Sequence, residues 1–278
     1  KLKNEDLSYV IAPTVGGDKM DENLEKKTNE FLREHNCEYK VVKGYGMTEV
    51  NAAVAACTSN ETNKIGSVGI PFPNTTISIF DPKTGEELGY NEKGEVCITG
   101  PNTMLGYFNN DEETNKILRK HEDGNVWVHS GDIGYMDADG NLYIVDRLKR
   151  MIIRPDGFKI FPSLIEDVVV KHPSVQSCKA VGLRDFSFSQ GKLPKVHVVL
   201  NETDRNPEAI ENEILMLCEE QLPEYYWPCE IEFNESLPLT PIGKIDYLKL
   251  EKEDCSGNMA GSESFLCDYI DSGHHDDF

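Results

Sequence analysis

The segment GYGMTE, which spans residues 44–49, offers an aromatic ring, a hydroxyl and a carboxylate in one short stretch. Its glycines allow a ligand to approach the backbone closely, so the segment suits a bound nucleotide. A purely structural explanation fits equally well: the Thr48 hydroxyl would cap a helix, and the Glu49 carboxylate would favour the positive end of its dipole. The segment alone leaves both explanations open.

A second chemically suggestive segment is HSGDIGYMDADGNLYIVDRLKRMI, which begins at His129. The carboxylate of Asp132 can accept hydrogen bonds from two neighbouring hydroxyls, as carboxylates do on ribose rings, but a Gly-Asp step is also typical of a turn. Arg147 and Lys149 lie where one residue pattern gives way to another, and pockets concentrate at such boundaries. For both cations, a surface charge without a ligand remains the alternative.

Lys244 is the third candidate, in the sequence SLPLTPIGKIDYLKL. It follows Pro241 and Gly243 in a loop that the surrounding pattern does not require. A single Gly-Lys pair is weak evidence for function, so Lys244 gains meaning only together with the other segments.

Patterns in the first part of the chain would place GYGMTE after a strand. The sequence YVIAPTVGGDKM predicts a buried strand followed by a glycine turn, and apolar residues at helical spacing predict a helix over residues 21–36. The apolar stretch EYKVVKGYG then leads into the motif. The Ala- and Val-rich residues 50–56 predict the start of another helix.

The remaining candidates fall in two regions of different pattern. Alternating residues in TTISIFD, GEVCITG and GNLYIVD predict an antiparallel β subdomain over residues 66–146. Residues 147–250 predict a compact α+β domain. Its predicted helices cover residues 162–172 and 207–222, and its predicted strands cover residues 178–182, 195–200 and 230–233.

The last region, residues 251–278, has eight acidic residues and one lysine, with little periodicity. Such a composition cannot bury enough apolar surface to offset the entropy of ordering. It therefore predicts an acidic, flexible tail.

The overall composition limits the class of protein. The length of 278 residues predicts two domains, and 49 acidic against 28 basic residues give a net charge of −21, which would repel nucleic acid. No apolar run approaches the roughly 20 residues that span a membrane, so we expect neither a nucleic-acid partner nor a membrane span. Eight cysteines without zinc spacing predict reduced thiols and a cytoplasmic location.

The chain begins at Lys1 without an initiator methionine or a visible secretory leader. We therefore expect a fragment of a longer protein.

Six segments taken in order resemble the adenylate-forming superfamily of acyl-CoA synthetases, peptide-synthetase adenylation domains and luciferases. They are GGDKM, GYGMTE, SGD, DRLKRMI, DGFKIFPSLIED and PLTPIGKID. The resemblance implies an α/β plus α+β fold, in which residues 1–65 end the large adenylating domain and residues 66–146 form its β subdomain. Residues 147–250 would be the small, mobile C-terminal domain, and residues 251–278 its tail.

The resemblance also implies nucleotide and metal ligands. It assigns Tyr45 to stacking on adenine, Thr48 to the α-phosphate and acyl carboxylate, and Glu49 to Mg²⁺. It assigns Asp132 and Arg147 to the ribose hydroxyls.

Glycines and an aspartate would shape the binding channels. The resemblance implies that Gly16, Gly17 and Asp18 line the acyl and adenine pocket. It also implies that Gly46 belongs to the nucleotide motif and that Gly157 lies near the channel for pantetheine. Asp146 and Lys149 would form the interdomain hinge, and Lys244 would be the mobile catalytic lysine. All of these roles are implied by the resemblance.

The implied activity is ATP-dependent conversion of a carboxylic acid to an acyl-AMP, followed by transfer to the thiol of CoA, with Mg²⁺ as the metal. A carrier protein with a phosphopantetheine thiol is the alternative acceptor, and a non-catalytic relative that binds a nucleotide or partner is the alternative class. The Ser/Thr/Gly-rich phosphate loop that the family carries upstream is not found in this sequence. We therefore expect the N-terminal half of the same enzyme as a partner, and no activity from the fragment alone.

Overall fold

The computed structural model describes residues 5–17, 20–61, 63–184, 190–201, 206–241 and 243–257. The chain divides into two compact units, residues 1–148 and residues 149–278. None of the described helices is both long and apolar enough to cross a bilayer. The predicted subdivision of the first unit at residue 65 stays a prediction.

The first sheet of unit 1 has four strands in the order β1-β2-β3-β4, with β1 parallel to β2 and the other pairs antiparallel. Asp21 caps helix α1, because its carboxylate accepts a hydrogen bond from the amide of Leu24 at 2.9 Å. The helix predicted here is thus confirmed. The elements are β1 (Thr14–Val15), α1 (Glu22–Glu34), β2 (Val42–Met47), a 3₁₀ turn (Thr48–Val50), β3 (Ala52–Ala56) and β4 (Ile70–Pro71).

The helix predicted over residues 50–56 is wrong, because most of this stretch is strand β3. Asn51 and Ala52 have φ values of 59° and 88°, which a helix cannot contain. β3 then pairs with β2 on one side and with β4 on the other, and Val54 is fully buried. Pairing between strands overrides the helical preference of alanine here.

The second sheet of unit 1 is antiparallel, as the alternating segments predicted. Its strand order is β5-β6-β8-β7, and β9 pairs with β8. The strand β8 and the helix α2 were not predicted, since polar residues and Gly131 interrupt the alternation in β8. The elements are β5 (Thr76–Phe80), β6 (Gly94–Thr99), α2 (Asp111–Ile117), β7 (Leu118–Lys120), β8 (Val126–Met136) and β9 (Leu142–Arg147).

A buried apolar cluster joins strands of both sheets of unit 1. Its members include Val54, Ile77, Val96, Val128 and Leu142. Burial of such aliphatic side chains stabilises a fold by about 1.5–3 kcal/mol each. The strands that carry the candidate site residues are therefore fixed by this common core.

Unit 2 has a three-stranded sheet in the order β12-β13-β14, with β12 antiparallel and β14 parallel to β13. The two helices and three strands predicted for this region are present as α3, α4, β12, β13 and β14, with ends shifted by a few residues, whereas β10, β11 and α5 were not predicted. The elements are β10 (Ile152–Ile153), β11 (Lys159–Ile160), α3 (Pro162–Val169), β12 (Val175–Arg184), β13 (Lys192–Leu200), α4 (Pro207–Gln221), β14 (Glu230–Phe233) and α5 (Tyr247–Gly257).

The flexible tail was predicted to begin at residue 251, but this boundary is wrong, because helix α5 continues through residue 257. The ammonium of Lys192 pairs with Glu251 at 3.1 Å, and that of Lys195 pairs with Asp254 at 2.7 Å. Nε2 of His197 lies 3.0 Å from the Asp254 carboxylate. These partners offset the acidic charge that argued against an ordered segment, whereas residues 258–278 lie outside the described part.

We predict that Gly46→Ala destabilises unit 1. A Cβ at residue 46 would lie 1.8 Å from the carbonyl oxygen of Ala52, which is backbone and cannot rotate away. We expect the free energy of unfolding to fall by at least about 1–3 kcal/mol, as for overpacked sites. Urea unfolding, followed by the fluorescence of Trp127 in a Trp227→Phe background, measures this change.

Gly16→Ala is the matched control, since a Cβ at residue 16 has no neighbour within 4 Å. It should leave the unfolding midpoint unchanged. Equal midpoints for both alanine variants would contradict the steric argument.

Candidate functional site

The carboxylate of Asp132 is the centre of the site in unit 1. Its side chain is only 6% exposed. Oδ2 accepts a hydrogen bond from the hydroxyl of Tyr45 at 2.6 Å, and Oδ1 lies 2.8 Å from Nε of Arg147. Residues that are distant in sequence therefore meet at one carboxylate.

Sheet register explains how these three side chains meet. Asp132 of β8 lies directly opposite Arg147 of β9, and Ile133 lies opposite Asp146. Tyr45 lies on β2 and packs against the core that β2 shares with the second sheet. Asp132 thus lies within a strand, and the alternative in which it is a turn residue does not hold.

Burial controls the protonation of this pair. It raises the pKa of Asp132, although the hydrogen bond from Tyr45 and the charge of Arg147 oppose the shift. Burial also raises the pKa of Tyr45 well above its usual value, and the negative charge of Asp132 adds to that shift. The phenol therefore keeps its proton and donates a hydrogen bond to the carboxylate.

Glu49 forms a second polar centre, at the end of β2. The hydroxyl of Tyr107 donates a hydrogen bond to the Glu49 carboxylate. The amide of Met104 donates to the carbonyl oxygen of Glu49 at 2.8 Å, which holds this loop against the 3₁₀ turn. Burial and the hydrogen bond to Glu49 raise the pKa of Tyr107 to about 12, so it too stays protonated.

Sequence reasoning missed Tyr107. The only local signal was a Gly-Tyr step at residues 106–107 that repeats the step at residues 44–45. Thr48 is exposed, and the residue before it, Met47, begins the 3₁₀ turn without a side-chain cap. The structural explanation in which Thr48 caps a helix is therefore not observed.

The glycine loop after β1 is exposed at Gly16 and Gly17. Gly17 has a φ of 86°, which favours glycine. β1 runs parallel to β2, with Val15 opposite Lys43. Because the two strands run in the same direction, the glycine loop follows β1 on the side toward which β2 continues into the GYGMTE segment. Asp18 lies outside the described residues.

The other predicted residues belong to the unit boundary and to unit 2. Asp146 is buried at the end of β9, and its Oδ1 accepts the amide of Arg147 at 2.8 Å. Lys149 is exposed in the 3₁₀ turn Leu148–Arg150. Their proposed hinge role stays a prediction.

Two tight turns of unit 2 present the remaining candidates. Gly157 has a φ of 87° in the turn between β10 and β11, and its amide donates to the Arg154 carbonyl at 2.9 Å. Lys244 is exposed in a loop that Thr240 closes: the Thr240 amide donates to the Lys244 carbonyl at 2.7 Å, and the Thr240 Oγ1 accepts the Lys244 amide at 3.1 Å.

Two clusters in the described part of the chain have donor atoms close enough to hold a metal: Glu95, Cys97 and His129; and His197, Glu232 and Asp254. In the first, burial raises the pKa of Cys97, so the thiol keeps its proton and is a weak ligand. In the second, the ammonium of Lys195 lies 2.7 Å from both carboxylates and already balances their charge. We interpret both as hydrogen-bonded networks.

We predict that Asp132 and Asp137 titrate on opposite sides of the usual aspartate pKa of 3.8. Burial opposes the shift at Asp137, but hydrogen bonds from Lys64 and Asn141 lower its pKa to about 2. Tyr45→Phe should raise the pKa of Asp132 further, because it removes a donor that favours the ionised form. Carboxyl ¹³C shifts followed against pH measure both values.

Tyr143→Phe is the control, since the Tyr143 hydroxyl donates to Asp137 at 3.4 Å and makes no contact that shifts Asp132. An unchanged or lower pKa of Asp132 in Tyr45→Phe would show that the hydroxyl does not stabilise its charge.

Comparison with known proteins identifies the family. The family model described as "AMP-binding enzyme" matches residues 2–108, and that described as "AMP-binding enzyme C-terminal domain" matches residues 164–244. A long-chain-fatty-acid–CoA ligase of Escherichia coli is 37% identical over 213 residues, which cover 77% of this chain and 36% of that protein.

Solved structures agree with the sequence relatives. The o-succinylbenzoate-CoA synthetase MenE of Bacillus subtilis, in complex with its acyl-adenylate intermediate, matches with a TM-score of 0.74 at 28% identity. That match covers 90% of this chain and 47% of MenE. The amide bond synthetase McbA of Marinactinospora thermotolerans matches with a TM-score of 0.76 at 29% identity, over 91% of this chain and 49% of McbA.

The chain thus spans between about a third and a half of the length of these proteins. The structural matches confirm the predicted fold class, an α/β part with an antiparallel sheet followed by an α+β part. Together with the two family models, they show that the chain belongs to the AMP-binding, adenylate-forming superfamily of enzymes.

Proposed function

We propose that this chain is the nucleotide-binding and C-terminal portion of an ATP-dependent acid–thiol ligase. The enzyme would convert a carboxylic acid to an acyl-AMP and then transfer the acyl group to the thiol of CoA, which releases AMP. The observation that carries the proposal is the buried Asp132 carboxylate, held between Tyr45 and Arg147. Because the chain covers less than half of its relatives, the activity of the whole enzyme is part of the proposal.

The Asp132 carboxylate can bind the ribose. Each of its oxygens accepts one hydrogen bond from the protein, and each has a second lone pair that can accept a ribose hydroxyl. Burial removes competing water and strengthens such bonds. Tyr45, whose phenol is anchored to the same carboxylate, would stack on the adenine.

Glu49 and Thr48 would meet the phosphates. One Glu49 oxygen accepts the Tyr107 hydroxyl, and the carboxylate as a whole fits the preference of Mg²⁺ for oxygen ligands. Mg²⁺ would neutralise phosphate charge when bound there. The exposed Thr48 hydroxyl can donate to the α-phosphate.

The reaction would begin when the substrate carboxylate attacks the α-phosphorus of ATP. A bond forms between the carboxylate oxygen and that phosphorus, and the bond to the leaving pyrophosphate breaks. The ammonium of Lys244, on its tight exposed loop, would stabilise the charge that develops and hold the two anions together. Unit 2 would then rotate about a hinge at Lys149, which would withdraw Lys244 and present another surface of unit 2 to the thiol. Gly157 would lie near the pantetheine on that surface.

The acceptor defines the second candidate function. The E. coli protein is named as a CoA ligase, the B. subtilis protein as a CoA synthetase and McbA as an amide bond synthetase. The likeness therefore extends to enzymes with different acceptors. CoA is preferred because the similar sequence relatives are CoA ligases. A carrier-protein thiol and a non-catalytic nucleotide-binding role remain the alternatives.

We predict that Asp132→Ala weakens AMP binding to the 278-residue chain. Loss of a charge-assisted hydrogen bond costs roughly 1.5–3 kcal/mol, which is roughly a 10- to 150-fold rise in Kd. Titration of a fluorescent AMP analogue measures the change. Asp139→Ala, at an aspartate whose side chain is 76% exposed, is the control and should leave Kd unchanged; equal Kd values for both variants would refute the ribose assignment.

We also predict that Lys244 acts only in the first half-reaction. In an enzyme that joins this chain to an N-terminal half, Lys244→Ala should slow acid-dependent pyrophosphate exchange by about 10²–10³-fold, as for loss of one preorganised donor. Thioester formation from supplied acyl-AMP should stay nearly intact. Lys249→Ala, at an exposed lysine of α5, is the control, and equal loss of both half-reactions in Lys244→Ala would reject the role.

A further inference from the structure

The backbone that carries Asp132 is a β-bulge. Glu95 of β6 pairs with Ile133 of β8, but Cys97 pairs with His129, so a step of two residues in β6 corresponds to a step of four in β8. Gly131 lies in this bulge with a φ of 68°, in the left-handed region. Glycine can adopt many backbone conformations, so contacts from neighbouring residues are needed to hold the bulge in a single one.

Glu95 supplies those contacts from the neighbouring strand. Its side chain is buried, and its Oε1 accepts the amide of Gly131 at 3.0 Å. Its Oε2 lies 2.8 Å from Nδ1 of His129. One carboxylate thus bridges the two residues on either side of Ser130.

Ser130 completes the bulge. Its hydroxyl donates to the carbonyl of Val96 at 2.6 Å and accepts the amide of Asp132 at 3.1 Å. Nε2 of His129 lies 2.9 Å from Nε2 of His121, which stacks on Trp127. Each of the three residues before Asp132, namely His129, Ser130 and Gly131, is therefore held by a hydrogen bond to β6.

The Glu95 carboxylate is ionised at neutral pH. Burial alone would raise its pKa, but the hydrogen bonds from His129 and Gly131 lower it. An ionised acceptor makes stronger hydrogen bonds than a neutral one. The hydrogen bonds of Glu95 go to Gly131 and His129, and its negative charge also raises the pKa of Asp132 through space. Its influence on the position of the Asp132 carboxylate therefore passes through the backbone of the bulge.

We propose that Glu95 is a positioning residue for ribose recognition: it fixes the bulge at Gly131 so that the Asp132 carboxylate lies opposite Arg147 in the geometry that two vicinal hydroxyls require. The proposal rests on the proposed function, because it assumes that Asp132 binds the ribose. Without the Glu95 carboxylate, the half-buried amide of Gly131 has lost its acceptor, and the bulge shifts to satisfy it.

The test compares AMP with 2′,3′-dideoxy-AMP, which lacks both hydroxyls, in binding to the 278-residue chain. Glu95→Ala should weaken AMP binding by roughly tenfold and change dideoxy-AMP binding by less than about twofold, since only the ribose contact is displaced. A merely structural loss would weaken both ligands alike. Glu95→Gln should restore the preference for AMP, because its amide can still accept from Gly131 and bond to His129.

Glu92→Ala is the matched control, since the Glu92 carboxylate also accepts a glycine amide, that of Gly89 at 2.6 Å, but in an exposed turn. It should leave the AMP preference unchanged. If Glu95→Ala does not fold, Glu95→Asp decides, because the shorter side chain cannot reach both of its partners. We expect a reduced preference for AMP in that variant as well.

The outcomes separate the two proposals. A wild-type chain with no preference for AMP over dideoxy-AMP would overturn the ribose assignment of Asp132 and, with it, the role of Glu95. A wild-type preference that persists in Glu95→Ala, or in Glu95→Asp if the alanine variant does not fold, would overturn the positioning role alone.

Discussion

The burial of the Asp132 carboxylate constrains the whole of unit 1. A buried carboxylate without partners costs several kcal/mol, so the fold must bring donors to it. It does so with a hydroxyl from β2 and a guanidinium from β9, while β8 itself carries the acid. The relative positions of these three strands, and of the core beneath them, are therefore part of the same arrangement that would recognise a nucleotide.

The same physical solution recurs in this strongly acidic chain. Lys43 and Glu25 form a buried ion pair between β2 and α1, and Glu25 also accepts the amide of Gly66 at 2.9 Å. In unit 2, Glu166 pairs with Arg150 and also with Lys179 at 3.1 Å. Each buried charge has several partners, as a charge in a low-dielectric interior requires. Removing one partner from such a site would leave the buried charge less well compensated, which destabilises the fold.

The two units contribute different chemistry to the proposed reaction. Unit 1 contains the groups that would bind the nucleotide and Mg²⁺. Tyr45, Asp132 and Arg147 lie on strands, and Thr48 and Glu49 lie in the turn directly after β2. Unit 2 contains Gly157 and Lys244 on short turns that glycines at positive φ allow. Binding groups held mainly by strands in one unit, and groups presented on tight loops in the other, suit a reaction in two steps with different requirements.

The sequence by itself determined the family, the order of the motifs and most of the local elements. Helix α1 was predicted because Asp21 caps it and its apolar residues recur at helical spacing. Strand β14 was predicted from the alternation of polar and apolar residues in EIEF. Only the tertiary structure decided that residues 52–56 form a strand, that Asp132 lies in a bulge, and that Tyr107 meets Glu49. These features depend on pairing between strands and on contacts across 58 to 87 residues of sequence, such as Tyr107–Glu49 and Tyr45–Asp132. Periodicity and capping report only the residues within a few positions of each other, so they contain no information on such contacts.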